Sequence, residues 1–193
     1  MLSRLSLFGK LPEKFDFGTF PPKLEILTLA VSELSDDSME ELGNLESLKI
    51  LRLHAHSYMG KKMKCGRGIF PKLQILKLWM LEELEKWEVE EGAMPALEEV
   101  EIRCCKKLSN PDGLKELATL KELILTSMKQ DFVKELKESL GSNVSIVKEN
   151  DWKFSSTWWK SNSWSDLWVS AGMSIIIAYL RWRQKQGSRH VWV

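Results

Sequence analysis

The sequence is poor in the residues from which catalytic and metal sites are built. It has three histidines (His54, His56, His190) and three cysteines (Cys65, Cys104, Cys105). An odd number of thiols, two of them adjacent, suggests no disulfide framework, and small buried or half-buried side chains are the expectation. Residues 1–18 contain no apolar run of signal-peptide length, so a reducing, cytoplasmic location is expected. The formal charge of +1 gives no concentrated basic face, and no nucleic-acid partner is expected.

Chemical motifs are missing as well. His54-x-His56 has the alternation to set both rings on one side of a strand, but no third ligand stands at a supporting spacing, so no metal is expected. A phosphate loop needs G-x-x-x-x-G-K-S/T. Here Gly60-Lys61 runs into Lys62, and Gly66-x-Gly68 reaches no lysine–serine pair. Residues 56–69, with Lys61, Lys62, Lys64 and Arg67, therefore read as a solvated surface loop around Cys65. The Glu-Glu pairs at 40–41, 82–83, 90–91 and 98–99 read as solvated faces rather than acid–base machinery. Neither an enzymatic activity nor a cofactor is expected.

What the sequence has is a repeat. The pattern L-x-x-L-x-L occurs as Leu2-Leu5-Leu7, Leu24-Leu27-Leu29, Leu48-Leu51-Leu53, Leu73-Leu76-Leu78, Leu97-Val100-Ile102 and Leu120-Leu123-Leu125. Successive first leucines lie 22, 24, 25, 24 and 23 residues apart, within the period of leucine-rich repeats. Alternation along each L-x-L points both leucines into a core and the residue between them outward. Stacked turns then form a parallel sheet, and no turn can bury its apolar side alone. The expected fold is an α/β leucine-rich-repeat solenoid over 1–147, about six repeats with the first truncated. Its parallel sheet lines the concave face, with short helices and loops on the convex one.

Helices are expected between the strands. Ser35 to Gly43 carries capping residues, then acids, with glycine after the end. Asn110-Pro111-Asp112-Gly113 leads into Leu114–Leu117, and Gln130 to Leu140 puts Phe132, Val133, Leu136 and Leu140 on one face. Val144 and Ile146 are placed to supply one last strand.

Composition shifts sharply after the repeats. Residues 1–150 hold 22 Lys/Arg and 25 Asp/Glu, whereas 151–193 hold 6 and 2 together with seven of the nine tryptophans. We treat 148–193 as a separate Trp-rich, partly helical tail, with a helix expected at 166–185. The apolar run 167–180 is 14 residues long, short of the roughly 20 that a spanning helix needs. A helix covering the solenoid end, translated flanking sequence, and a less favoured membrane contact through 164–185 remain alternatives for it.

The stretch from Phe70 to Leu108 resembles the late repeats of plant coiled-coil nucleotide-binding leucine-rich-repeat disease-resistance proteins. Phe70-Pro71-Lys72-Leu73 and Glu90-Glu91-Gly92-Ala93-Met94-Pro95-Ala96-Leu97, with Trp87 before the second, are wording typical of that family. Leu34-Ser35-Asp36-Asp37 ahead of Leu45-x-x-Leu48 fits the preceding repeat. The resemblance implies a protein-recognition module of plant innate immunity. Its implied partners are a pathogen effector or guarded host protein, and the nucleotide-binding domain of a parent receptor. A leucine-rich-repeat adaptor or a membrane-tethered scaffold outside defence is the alternative. The family's nucleotide switch is not among these residues. Nor is the buried asparagine ladder of regular repeats, whose positions hold Lys10, Ser32, His56, Leu81, Cys105 and Met128.

Binding is expected on the concave strands. Outward positions there hold Arg52, His54, Lys77, Trp79, Glu101 and Arg103, beside an apolar row of Ile26, Ile50 and Ile75 that ends in Glu99 and Glu122. Arginine next to an exposed aromatic is the composition of interface hot spots, worth ~2 kcal/mol or more each.

Overall fold

The computed structural model describes residues 2–109, 112–140 and 144–149. The Trp-rich tail, with its expected helix and membrane contact, lies outside the described residues. Seven parallel strands form the main sheet: β1 (Arg4–Phe8), β2 (Ile26–Ala30), β3 (Ile50–Leu53), β5 (Ile75–Trp79), β7 (Glu99–Arg103), β8 (Glu122–Thr126) and β9 (Ser145–Glu149), in that order. A second sheet pairs β4 (Lys62–Cys65) with β6 (Lys86–Val89).

Register follows from the leucine period. Leu27, Leu51, Leu76, Val100 and Leu123 stand opposite one another on successive strands, and all five are fully buried. Leu29, Leu53, Leu78, Ile102 and Leu125 make a second such column. The first leucines of the motif, Leu24, Leu48, Leu73, Leu97 and Leu120, close the core where each chain segment enters its strand. A one-residue slip would turn every column to solvent, so the alternation itself holds the pairing.

In place of the absent asparagine ladder, backbone groups link the repeats. Just after their strands, Gly9, Val31, Met80 and Cys104 adopt positive φ (130°, 57°, 55° and 55°). In this conformation each N–H donates to a carbonyl one repeat on: Ala30, Ala55, Arg103 and Thr126, at 3.0, 2.9, 2.8 and 3.0 Å. Left-handed backbone costs a non-glycine residue roughly 1–2 kcal/mol, and the inter-repeat bond offsets it. Cys105 is the position that keeps a ladder residue type, and its buried thiol lies 3.5 Å from the Leu78 carbonyl of the preceding turn. Burial pushes that thiol up to about 12, which suits a structural side chain rather than a nucleophile.

Among the described residues three α-helices stand between the strands of the main sheet: α1 (Ser38–Gly43), α2 (Asp112–Lys115) and α3 (Gln130–Ser139). In α3, Phe132, Val133 and Leu136 are buried, on the face that their spacing dictates. α1 is shorter than expected. Its N-cap Asp37 makes no side-chain capping bond; instead the Ser35 N–H donates to Ser38 Oγ at 3.2 Å. Gly43 does not follow the helix but belongs to it, for a steric reason: a Cβ there would stand 2.6 Å from Ile69 Cβ.

The solvated loop expected over 56–69 is corrected. Its middle is β4, paired in register with β6, so that Met63 lies opposite Trp87 and Cys65 opposite Val89. Met63, Cys65, Trp87 and Val89 are buried. Cys65 is thus no loop thiol: the Trp87 indole donates to its sulfur at 3.4 Å, and burial pushes its pKa up to about 12. Tyr58 seals the turn, donating from its hydroxyl to the Lys62 carbonyl. The alternation Lys62, Met63, Lys64, Cys65 carried the strand signal, but the glycines on either side hid it.

Ion pairs one repeat apart decorate the surface: Lys49–Glu25 at 2.8 Å, Lys121–Glu98 at 2.8 Å and Lys107–Glu83 at 2.7 Å. Such solvent-exposed pairs contribute about 0–1 kcal/mol each, so the leucine columns dominate stability.

Gly43→Ala separates local propensity from packing. Alanine is favoured over glycine in a helix by about 1 kcal/mol, yet the clash with Ile69 should leave the variant destabilised by roughly 1–3 kcal/mol. Gly66→Ala, whose Cβ meets nothing nearer than 3.9 Å, is the neutral control. Urea unfolding midpoints of the full chain read both.

Candidate protein-interaction face

Outward residues on parallel strands stack in rows, because register aligns equivalent positions. One row runs Ser6, Thr28, Arg52, Lys77, Glu101, Ile124 across β1, β2, β3, β5, β7 and β8. The row before it runs Arg4, Ile26, Ile50, Ile75, Glu99, Glu122. Trp79 stands opposite Arg103 in the row after. His54 follows β3 directly, its N–H donating to the Leu29 carbonyl at 2.9 Å. All six residues expected on the face fall on β3, β5, β7 or the residue next to β3.

The structure organises them into a stack and an ion-pair cluster. The His54 and Trp79 rings are parallel, 8° apart with centroids at 4.4 Å. The Arg103 guanidinium carbon lies 5.1 Å from the Trp79 ring centroid. Since β5 lies between β3 and β7, the indole is held between an imidazole on one neighbouring strand and a cation on the other. Aromatic stacking contributes about 0.5–1.5 kcal/mol beyond burial, and an exposed cation–π contact about 0.5–1 kcal/mol. The indole is therefore held in one orientation by its two neighbours.

Glu101 anchors the cluster and is only 2% exposed. It accepts from Lys77 Nζ at 2.6 Å and from Arg103 Nε, while Lys77 also reaches Glu99 at 3.1 Å. Burial alone would pull the Lys77 ammonium down, but its hydrogen bonds to Glu101 and Glu99 outweigh that and hold its pKa above the ordinary value. The face is consequently not a run of free cations. Two of its three basic side chains are engaged by acids on β7, and Lys77 opposite Glu101 in register is the sequence signal for this. Arg52 differs: among the described residues it has no ion pair. Burial, then the nearby Arg4 charge, lowers its pKa, and it stays charged.

The His54-x-His56 reading is corrected. β3 ends at Leu53, and His56 sits in a left-handed turn at φ 55°, so the two rings do not share a strand face. No group of three His, Cys, Asp or Glu able to hold a metal occurs among the described residues. His54 is 3% exposed. Burial, then the charge of Arg52, lowers its pKa to about 4, so it is neutral at physiological pH. Neither of its ring nitrogens, nor Trp79 Nε1, meets a hydrogen-bond partner among the described residues. The repeat itself put these rings in one row, since His54 and Trp79 follow Leu53 and Leu78, which face each other in register.

No helix among the described residues is long and apolar enough to cross a membrane. Residues 2–139 match the model of the family described as a leucine-rich repeat region. Over 136 residues the chain is 39% identical to the disease resistance protein RPP8 and 40% identical to the probable disease resistance RPP8-like protein 2, both from Arabidopsis thaliana. Each alignment covers 70% of this chain and 15% of the relative. The disease susceptibility protein LOV1 of the same plant is 39% identical over 128 residues, 66% of this chain and 14% of that protein. The chain thus spans about 15% of the length of the curated relatives it matches.

The buried imidazole makes stability depend on acidity. With its folded pKa lowered from 6.5 to about 4, His54 takes up a proton more readily when unfolded. Its contribution is full above pH 6.5 and is lost as pH falls toward 4, at about 1.4 kcal/mol per pH unit within that window. Between pH 6.5 and 5, wild type should lose roughly 2 kcal/mol more than His54→Asn. Urea unfolding at the two pH values measures this; equal losses would mean that His54 titrates normally.

Proposed function

This chain belongs to the leucine-rich-repeat family in the form found in plant disease-resistance proteins, and from that premise we propose that it recognises protein partners through the face of β3, β5 and β7. The reading is non-enzymatic. Its recognition residues are Arg52, His54, Lys77, Trp79, Glu101 and Arg103. One observation carries it above the rest: Trp79, a large aromatic on the outward side of a sheet, is held in place by His54 and Arg103 instead of being packed into the core. Aromatic and arginine side chains are the groups that dominate binding energy when a partner excludes water from them.

In plant defence such a face would engage a pathogen effector or a guarded host protein. Within a longer receptor it would also contact a nucleotide-binding domain and restrain it. The names of the relatives, which tie them to resistance and susceptibility to disease, support the defence setting. The ion pairs around Glu101 support the choice of face, since they fix a polar pattern that only a complementary surface can match without leaving buried charges unpaired.

Trp79→Ala with Arg103→Ala should abolish capture of proteins from leaf extract, read by quantitative mass spectrometry, while circular dichroism stays unchanged. Lys64→Glu on the convex β4 should leave capture intact. Undiminished capture by the double variant would exclude this face.

A further inference from the structure

Charge divides the concave face at β5. Its acids, Glu99, Glu101 and Glu122, stand on β7 and β8. The outward positions of β1, β2 and β3 carry Arg4, Ser6 and Phe8, then Ile26, Thr28 and Ala30, then Ile50 and Arg52, with no acid among them. On this half, hydrogen-bond donors lack acceptors. Arg52 is half-buried and has no ion pair among the described residues. Two positions along the chain, His54 is shielded from solvent with both ring nitrogens unpartnered, and on the next strand Trp79 Nε1 is shielded and unpartnered too. The neutral imidazole supplies one N–H, the indole one N–H and the guanidinium several. Buried donors without acceptors are rare in native structures because each loses its water. These three stand together, His54 and Trp79 in ring contact and Arg52 close enough to depress the His54 pKa.

We propose that this half of the face receives a carboxylate side chain of a partner polypeptide, an Asp or Glu flanked by apolar residues, with Arg52, His54 and Trp79 as its donors. A carboxylate offers two oxygens and about four lone-pair sites, enough for the three groups. Its negative charge matches Arg52, which makes no ion pair among the described residues; Glu101 and Glu99 act on it only at longer range, and Arg4 adds a second positive charge nearby. Ile26, Ile50 and Ile75, half-buried one pleat away, form the apolar track for the flanking residues. Lys77 and Arg103 do not compete, because acids on their own side of the face already hold them. The assignment rests on the concave-face reading above and narrows it to one chemistry.

The test is panning of a random twelve-residue displayed-peptide library on the immobilised full chain. Enriched peptides should carry Asp or Glu within two positions of Leu, Ile, Val or Phe. Affinity for a selected peptide should fall roughly ten-fold in Arg52→Gln, the loss expected for one charged hydrogen bond. Arg52→Glu should lose the preference for acid, and the Trp79 indole N–H resonance, assigned by Trp79→Phe, should move on adding the peptide. Enrichment of basic or uncharged peptides, no enrichment over bare support, or equal affinity in Arg52→Gln would overturn the carboxylate assignment. Peptides lost in Trp79→Ala with Arg103→Ala but indifferent to Arg52→Gln would leave the recognition face standing and remove only this subsite. Peptides indifferent to both changes would remove both.

Discussion

A single turn of this coil leaves its leucines facing nothing, and the form of the repeat region follows from stacking the next turn in register. Leu27, Leu51, Leu76, Val100 and Leu123 bury one another only when the strands align. That alignment brings every other equivalent residue into a row. Charges a repeat apart become neighbours, as in Lys49–Glu25 and Lys121–Glu98. Backbone N–H groups just after the strands find carbonyls one turn on, as Val31 finds Ala55. The inner columns hold the fold together, and the outer rows are its surface chemistry.

The same constraint explains how the proposed recognition surface is built without disturbing the core. Outward positions on β3, β5 and β7 accept any side chain that fits the pleat. Trp79, His54 and Arg103 can therefore assemble a stack while Leu53, Leu78 and Ile102 beneath them keep the core continuous. Glu101 ties the cluster together from within, so the side chains of this face are ordered by their own contacts. This division of labour between columns and rows lets the surface of such repeats vary while the fold stays the same.

The strand columns, their register and the outward strand positions of Arg52, Lys77, Trp79, Glu101 and Arg103 were legible in the sequence, since a fixed period and strict alternation determine them. The convex sheet was not. β4 is four residues long and pairs with β6 across more than twenty residues of chain, and its glycine-flanked lysines read as loop. Gly43 looked like a helix stop because glycine serves both ends and close contacts, and only the position of Ile69 distinguishes the two. The row holding His54 and Trp79 followed from the period, but the burial of His54 with its ring flat on the indole did not, because His54 lies past the end of β3. The engagement of Lys77 and Arg103 by Glu101 was written in the register but becomes decisive only once Glu101 is known to be buried. The leucine period is legible in sequence, whereas burial and close approaches such as Gly43 against Ile69 are not.

Hydroxyl-radical footprinting of the full chain, with and without a captured partner, tests the central claim most directly. Trp79, on the concave face, and Met59, 39% exposed on a segment away from those strands, both react readily and report the two sides. A recognition face on β3, β5 and β7 predicts that the partner suppresses oxidation of Trp79 and leaves Met59 unchanged. Suppression at Met59 with Trp79 unaltered would place the partner elsewhere and contradict the account.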